Sequence, residues 1–472
     1  MKEPRAAASG KQKGASSMLE KIFHLKEHGT NVKTEILAGI TTFLSMAYIL
    51  AVNPNILGNV MNANGVFLAT AIASAVATFI MGFWANYPIG LSAGMGLNAY
   101  FAFTVCIGEL GDEPDAFRIA LTAVFVEGVI FILMSLFKFR EAIINGIPTN
   151  LKYGISTGIG LFIALIGMLG AKIVISDEST TIAMGDLSSP TVVLALVGFL
   201  FIAILGHFKV KGAVLYGILI TWILGIIAEK IGWYKVDPAA GVYSLVPSFE
   251  SSFGFSGLED TAFKFNFAWA ADHIVQFIAI VFSFLFMDLF DTVGTVVGVA
   301  DKANLLDEKG NLPKAGRVFM ADAVGTTVGA CLGTSTVSSF VESSTGVAAG
   351  GRTGLTAVTT GALFLVSIVL SPLFLAIPSF ATAPALIYVG MLMFSSCKKI
   401  EFEKDTADTV SAYMSIIMML LTYSIANGIM FGVLSWVLIK VFTGKAKQVS
   451  PIMYGIFVLF VLRVVALVTG FM

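Results

Sequence analysis

The stretch GTSTVSSFVESSTGVAAGG, residues 333–351, combines glycines and hydroxyl side chains within a region apolar enough to lie inside a bilayer. Hydroxyl side chains form local hydrogen bonds that compete with a helix, and each glycine costs about 0.8–1 kcal/mol relative to alanine there. Irregular backbone is tolerated at membrane depth only where it is buried in protein or lines a cavity. The stretch therefore predicts a broken membrane segment beside a central cavity.

A second stretch of this kind, GLSAGMGLNAYFAF, occupies residues 90–103. Each stretch carries a polar side chain where a helix would resume, Asn98 in one and Glu342 in the other. A half-helix beginning there presents free N–H groups and the positive end of its dipole. The alternative is that the glycines only allow close helix packing. Because there are two such stretches, one with a glutamate, we favour a central binding site.

The composition is that of a polytopic membrane protein. Of the 472 residues, 57% are hydrophobic and 12% charged, and the mean hydropathy is +0.88. Most of the chain divides into apolar stretches of about 16 to 24 residues, long enough to cross a hydrocarbon core of about 30 Å. This excludes a soluble globular protein. The net charge of −1 gives no sign of nucleic-acid binding, and the three cysteines and four histidines show no metal-ligand spacing. We expect no metal and no cofactor.

The charge distribution predicts the orientation in the membrane. Residues 1–35 form a polar tail with seven Lys or Arg and four Glu, and the first apolar segment follows at 36–52. Because basic flanks remain in the cytoplasm, we expect a cytoplasmic N-terminus and a multi-pass protein of the cell membrane.

The apolar segments predict two sets of seven crossings. An odd number in the first set turns the second set upside down, which is the inverted-repeat plan of many secondary transporters. The motif Ile147-Pro148-Thr149 before the fifth crossing resembles Ile377-Pro378-Ser379 in the second half. The predicted parts are a first repeat, an outer loop, a second repeat and a remaining hydrophobic segment, at 36–232, 233–272, 273–444 and 445–472.

Three acidic residues, Asp288, Asp291 and Glu342, lie in these apolar regions. An acidic side chain at the centre of a membrane helix costs about 2.5 to 3.5 kcal/mol, so such residues usually bind a ligand or a proton. With Thr292 and Thr295, the two aspartates form one polar stripe on an apolar helix. The alternative for this stripe is a structural hydrogen-bond cluster that locks helices together.

Three other ionisable residues have a weaker claim to function. Glu127 lies in the fourth crossing and Asp322 near the end of the ninth, where we expect bonds between helices. Arg463 lies near a predicted helix end, where its side chain can reach the interface or pair with an acid.

Four motifs resemble the AzgA-like branch of the nucleobase transporter superfamily, the hypoxanthine, guanine and adenine permeases. They are GITTFLSMAYILAVNPNIL, GLSAGMGLNAYFAF, FMDLFDTVGT and VESSTGVAAGGRTGLTAV, at 39–57, 90–103, 286–295 and 341–358. The resemblance implies an all-α membrane protein of fourteen segments in two inverted repeats of seven, with segments 3 and 10 broken. It also implies a core of segments 1–4 and 8–11, a gate built from the others, and a homodimer.

The same resemblance implies a substrate site at Asn98, Asp288 and Glu342. Carboxylates accept from the ring N–H groups of a purine, while an amide serves its acceptors. Asp291 is then the organiser or proton carrier, although the two aspartates could exchange these roles. The Glu-Ser-Ser-Thr sequence that begins at Glu342 departs from the signature of uracil and xanthine relatives.

The predicted function is proton-coupled purine transport by alternating access, with guanine or hypoxanthine and then adenine as substrates. A transporter of another nucleobase or of a small anion on the same fold is the first alternative, although three carboxylates disfavour an anion. A membrane-embedded enzyme is the second. It would need a serine with an intramembrane histidine or an H-E-x-x-H motif, and the sequence contains neither. We therefore expect no enzymatic activity.

Overall fold

The structure is a computed structural model that describes residues 18–136, 147–177, 179–236, 244–246, 256–305, 312–403 and 405–469. Residues 1–17 of the predicted N-terminal tail lie outside this description, as do parts of the predicted outer loop, at 237–243 and 247–255. In the described part, nine helices are long and apolar enough to cross a membrane by length and composition.

The first seven segments follow one another along the chain from Val32 to Lys230. Segment 1 consists of two helices that meet at Ala47 and Tyr48, and segment 2 ends in a π-helical turn. Segment 3 is a strand followed by a half-helix whose second part is π-helical. The bounds of segments 1 to 7 are Val32–Met46 with Ile49–Leu57, Ala63–Ile80 with Met81–Ala85, Leu91–Ala93 (β1) with Met95–Ala99 and Tyr100–Glu109, Ala116–Leu136, Thr149–Gly170, Pro190–His207 and Ala213–Lys230. A hairpin of β2 and β3 lies between segments 5 and 6, at Val174–Asp177 and Thr181–Met184.

Seven further segments repeat this order. Two short helices, Leu258–Thr261 and Phe267–Asp272, precede them in the outer loop. Segment 10 is again a strand followed by a short helix, as segment 3 is in the first set. The bounds of segments 8 to 14 are Ile274–Lys302, Ala315–Leu332, Val337–Ser339 (β4) with Ser343–Ala348, Gly354–Val366 with Ser367–Leu370 and Ser371–Leu375, Ser379–Phe394 with Ser395–Lys399, Thr406–Leu421 and Ile425–Phe442.

The two broken segments meet at the centre of the fold. β1 pairs with β4 in antiparallel register, with Leu91 opposite Ser339 and Ala93 opposite Val337. All six strand residues are buried. Backbone N–H and C=O groups that are away from water need hydrogen-bond partners, and each strand supplies partners for the other. The prediction that 90–103 and 333–346 are interrupted helices is confirmed.

The segments pack in two groups. In the core, segment 9 packs on segments 2 and 4, segment 11 on segments 1 and 2, segment 10 on segment 1 and segment 8 on segment 4. In the gate, segment 12 packs on segments 5, 6 and 7, and segment 13 packs on segments 5 and 14. Contacts between the groups are sparser, for example those of segment 3 with segment 5. This division matches the predicted core and gate.

Segment 1 begins at Val32, so Glu35 lies within its first turn. The Glu35 carboxylate is buried and accepts hydrogen bonds from the backbone N–H groups of Arg352 and Thr356, at 2.9 and 3.2 Å, and from the Thr356 hydroxyl at 2.6 Å. These groups belong to the start of segment 11. A carboxylate there satisfies the free N–H groups and the positive end of the helix, so Glu35 fastens segments 1 and 11 together.

The connection between segments 7 and 8, predicted to be an outer loop, is attached to both groups. Its residue Leu245 binds the gate, because Glu229 accepts its N–H at 2.7 Å and Trp222 Nε1 donates to its carbonyl at 2.9 Å. Its residues Thr261 and Asn266 bind the core, the first by donating to the Leu332 carbonyl at 2.9 Å and the second by donating to Thr122 at 2.8 Å. The connection from segment 7 to segment 8 is therefore anchored separately on each side.

A further helix, Pro451–Thr469, follows segment 14 and corresponds to the remaining hydrophobic segment of the sequence. It packs against segment 14 of the gate and segment 8 of the core. It is apolar over Pro451–Val465.

Candidate functional site

The crossing of β1 and β4 places the starts of two half-helices side by side. The N–H of Gly94 donates to the Thr336 carbonyl at 3.0 Å, and the N–H of Phe340 donates to the Gly90 carbonyl at 3.0 Å. The half-helices begin immediately afterwards, at Met95 and Ser343. Of the predicted site residues, Asn98 lies on the first half-helix, Glu342 immediately before the second, and both aspartates on segment 8.

Glu342 immediately precedes the half-helix of segment 10. Its Oε1 atom accepts a hydrogen bond from the hydroxyl of Tyr48 at 2.6 Å. Tyr48 is fully buried at the junction of the two helices of segment 1, whereas Glu342 is partly exposed. Because bonds to an ionised carboxylate are about twice as strong as neutral ones, Tyr48 fixes the orientation of Glu342.

Asp291 lies beside the strand crossing. Its Oδ2 atom accepts a hydrogen bond from Ser338 Oγ at 2.8 Å and faces Gly94, where an added Cβ would lie 3.6 Å away. The side chain is partly exposed. Its partner Ser338 lies four residues before Glu342 in the chain. Two carboxylates from different segments therefore face the same region.

Asp288 is fully buried on the same helix. Its Oδ1 atom accepts from the Thr292 hydroxyl at 3.1 Å, and the same hydroxyl lies 3.0 Å from both carboxylate oxygens of Asp322. A hydroxyl has one proton to donate, so Thr292 can serve only one of the two carboxylates at a time. This arrangement joins two buried acids through one shared donor.

Asn98 lies in the first turns of the half-helix of segment 3 and is fully buried. Its Oδ1 atom accepts from the Ser335 hydroxyl. Within the described residues its Nδ2 atom has no hydrogen-bond partner. A buried amide donor without a partner costs free energy, and a ligand acceptor would remove that cost.

The hydroxyl run of segment 10 binds a different segment at each step. Thr334 accepts from Asn53 Nδ2 of segment 1 at 2.9 Å, Thr336 donates to Glu127 of segment 4 at 2.8 Å, and Ser338 donates to Asp291 of segment 8. The expected bonds between segments are thus confirmed for Glu127 and Asp322, each of which accepts from a hydroxyl of another segment. The structural cluster weighed for the Asp288 stripe is present too, because Thr292 joins segments 8 and 9.

Sequence reasoning missed Tyr48. Its partner Glu342 is 294 residues away, and neither residue has a local pattern that indicates the other. The only available signal is position, because Tyr48 lies within the first family-like motif. In the described part of the chain, no group of three or more His, Cys, Asp or Glu side chains is arranged to hold a metal ion.

The arrangement offers hydrogen-bond acceptors and a donor beside the strand crossing. Asp291 and Glu342 supply acceptor oxygens, Asn98 supplies a donor, and the two half-helices add N–H groups and dipole ends.

Comparison with known proteins relates this geometry to a family. The model of the Permease family, Xan_ur_permease, matches residues 33–431. Guanine/hypoxanthine permease PbuO of Bacillus subtilis (strain 168) is 43% identical over 446 residues, covering 94% of this chain and 99% of the relative. Adenine permease AdeP of Escherichia coli (strain K12) is 39% identical over 455 residues, covering 96% and 97%.

Solved structures confirm the fold. The transmembrane domain of a cyanobacterium bicarbonate transporter, BicA, aligns with a TM-score of 0.63 at 15% identity, covering 85% of this chain and 97% of that one. The structure of SLC26A9 aligns with a TM-score of 0.61 at 11% identity, covering 92% and 70%. These are membrane domains with the seven-plus-seven inverted repeat. From the matched family and the curated relatives, the chain belongs to the nucleobase permease family.

Proposed function

We propose that this nucleobase transporter carries purines, with guanine or hypoxanthine as the first candidates and adenine as the next. The relatives named for these substrates, each matched along nearly the whole chain, support the proposal. The observation that carries it is the Asn98 amide donor lying at the strand crossing with the acceptor side chains Asp291 and Glu342.

The substrate site consists of Asn98, Glu342 and the aspartates of segment 8. An oxopurine presents ring N–H groups beside carbonyl and ring-nitrogen acceptors, so carboxylates accept from its N–H groups and Asn98 Nδ2 donates to an acceptor. Sequence reasoning gave Asp288 the substrate contact and Asp291 the organising role, or the reverse. The partial exposure of Asp291 and the complete burial of Asp288 favour the reverse assignment.

Asp288 is then the proton carrier. It shares the Thr292 hydroxyl with Asp322, and two buried carboxylates with one shared donor repel each other when both are ionised. A proton on either acid relieves that repulsion. Protonation of this pair couples proton uptake to transport in our proposal.

Alternating access arises from movement of the core against the gate. The site lies at the boundary between them, since a Cβ added to Gly96 would lie 3.0 Å from Ile159 Cγ2 of segment 5. The protein would act in the cell membrane as a homodimer with a cytoplasmic N-terminus. Transport of another nucleobase is the alternative. A small anion is disfavoured because the site presents carboxylates.

The first experiment measures uptake of radiolabelled hypoxanthine in cells that lack their own purine permeases, with guanine, adenine, xanthine and uracil as competitors. We expect saturable uptake that guanine or adenine blocks and that Glu342→Gln abolishes. Glu27→Gln is the matched control, because the Glu27 side chain is 76% exposed. Absence of uptake of every nucleobase by a well-expressed protein would contradict the proposal.

The second experiment separates the aspartates in vesicles with and without an imposed pH gradient. Asp288→Asn should make the remaining uptake insensitive to the gradient. Asp291→Asn should instead raise the half-saturation concentration and keep the gradient dependence. Wild-type uptake that ignores the gradient would exclude proton coupling.

A further inference from the structure

The C-terminal helix Pro451–Thr469 has one buried face and one exposed face. Met453, Ile456, Phe460 and Arg463 recur at helical spacing and are at most 8% exposed. On the opposite face, Leu462 is 57% exposed. A guanidinium on the protein side of a membrane helix needs partners there, because its burial is costly when it is unpaired.

The start of this helix is fastened to the gate. In the loop that precedes it, Lys445 Nζ lies 2.6 Å from Asp405 Oδ2, and Gln448 Oε1 accepts from Lys440 Nζ at 3.0 Å. Asp405 and Lys440 belong to the cytoplasmic ends of segments 13 and 14 in the predicted orientation. The loop is therefore held to the gate as far as Gln448.

The far half of the helix is fastened to the core. The ring of Phe460 packs edge-on against that of Phe282 with centroids 5.4 Å apart. Arg463 Nη1 donates to Ser283 Oγ at 3.1 Å, and Nη2 donates to Glu109 Oε1 at 2.8 Å. Ser283 belongs to segment 8 and Glu109 ends the half-helix of segment 3. One guanidinium thus bridges the two core segments that carry the aspartates and Asn98.

On segment 3 the bridge lies at Glu109, the end of the half-helix that is distant from the site, and on segment 8 it lies at Ser283, five residues before Asp288. The half-helix of segment 3 runs from Met95 to Glu109, and its last ten residues are π-helical. A π-helix shifts the side chains that follow it, and such irregular turns occur often at functional sites. Glu109 is tied through Arg463 to Ser283, so the far end of the half-helix that carries Asn98 is held to the helix that carries Asp291.

We propose that the C-terminal helix moves with the core and that Arg463 is a positioning residue, which sets segment 3 against segment 8 at the substrate site. Val449 and Ser450, between the gate-bound loop and the helix, form the hinge, and the helix slides on segment 14 of the gate, against which it also packs. The inference rests on the proposed transport function. It adds the C-terminal helix, which follows the fourteen repeated segments, to the unit that moves during transport.

The deciding experiment fixes the helix to the core and measures uptake. Phe282→Cys and Phe460→Cys are combined in a background where Cys106, Cys331 and Cys397 are alanine, and a short bifunctional thiol reagent joins them. We expect hypoxanthine uptake to be unchanged by cross-linking, because the helix and segment 8 move together. Uptake lost on cross-linking, relative to the same protein treated with a monofunctional reagent, would show that the helix moves against the core and would overturn the proposal.

A second measurement tests the positioning role. Arg463→Gln and Glu109→Gln should each raise the half-saturation concentration by about threefold to tenfold, within the range of coupling through packed networks. The charge-swapped pair Glu109→Arg with Arg463→Glu should recover part of the loss. If these variants reduce only the amount of protein in the membrane and leave half-saturation unchanged, Arg463 is merely structural.

Wild-type uptake in the same membranes tests the proposed function separately. If the wild type transports purines and the variants reduce only the amount of protein in the membrane, only this inference is overturned. A wild type that takes up no purine overturns both.

Discussion

The core and the gate bury polar side chains in different ways. In the gate, buried hydroxyls bond within their own helix: Thr157 donates to the Tyr153 carbonyl at 2.7 Å and Ser415 to the Ser411 carbonyl at 2.9 Å. In the core, Thr336 donates instead to Glu127 on another segment, as Ser338 does to Asp291. Bonds within a helix survive when the helix moves as a rod, whereas bonds between segments fix those segments relative to one another. Buried hydroxyls therefore link segments to one another around the site in the core, whereas gate segments are joined through other side chains, such as Trp436 Nε1 donating to Asp408 at 2.6 Å.

The largest expected effect concerns packing in the gate, where segments 5 and 12 approach through glycine. A Cβ on Gly160 would lie 2.7 Å from the Gly390 carbonyl oxygen, closer than real Cβ contacts allow. We expect Gly160→Leu to lower the free energy of unfolding by about 3 kcal/mol or more, since overpacking of a tight contact forces backbone shifts. Thermal unfolding of the purified protein measures this.

Gly170→Leu on the same helix is the matched control, because no atom lies within 4 Å of an added Cβ there. Equal destabilisation by the two substitutions would show that the contact between segments 5 and 12 is not close.

The next effect separates the two kinds of buried hydroxyl directly. Thr336→Val removes the donor to Glu127 and should destabilise the protein by about 1–3 kcal/mol, because a buried carboxylate loses a hydrogen bond. Thr157→Val removes a bond within one gate helix and should cost less, since the carbonyl keeps its helical N–H partner. Unfolding midpoints of the two variants in detergent test this order, and a larger loss for Thr157→Val would contradict the comparison.

A third effect tests the core bond nearest the substrate. Tyr48→Phe removes the hydroxyl that donates to Glu342 and should raise the half-saturation concentration for hypoxanthine about tenfold, since hydrogen bonds to charged groups are worth about 1.5–3 kcal/mol. Tyr87→Phe is the control, because its hydroxyl donates to the Pro313 carbonyl away from the site, at 2.7 Å. Unchanged half-saturation in Tyr48→Phe would mean that Glu342 is oriented without this bond.

The smallest effect is at the end of the gate. The Lys445 ammonium, together with Lys440, holds the pKa of the Asp405 carboxyl well below its usual range. A depressed carboxyl pKa adds stability above the unfolded-state value of about 3.9, and this stability disappears as the pH falls through the folded value. Asp405→Asn should therefore cost at most about 1 kcal/mol near pH 7, as partly exposed ion pairs do. The difference from wild type should shrink in strongly acidic buffer, and a difference that grows instead would contradict this sign.

The sequence predicted those parts of the fold that depend on local pattern. Glycine and hydroxyl side chains at 90–103 and 333–346 disfavour a continuous helix through local effects alone. Both breaks could therefore be located from the sequence. The lengths of the apolar stretches and the charges of the loops are also local properties, and they predicted the two sets of seven segments.

Partners across the fold could not be predicted in this way. Whether Thr336 binds Glu127, or Tyr48 binds Glu342, depends on how segments far apart in the chain pack together. No local periodicity in the sequence encodes that packing. The predicted polar tail, 1–35, includes Glu35, although this residue lies in a helix and receives the N–H groups of segment 11. Arg463 was expected to pair, but Glu109, 354 positions away, was not identifiable as its partner.

The antiparallel pairing of β1 with β4 makes the two repeats depend on each other at the centre of the fold. Each repeat contributes one strand, and that strand alone would leave buried N–H and C=O groups without hydrogen-bond partners. Neither half of the chain can therefore complete its broken segment without the other half.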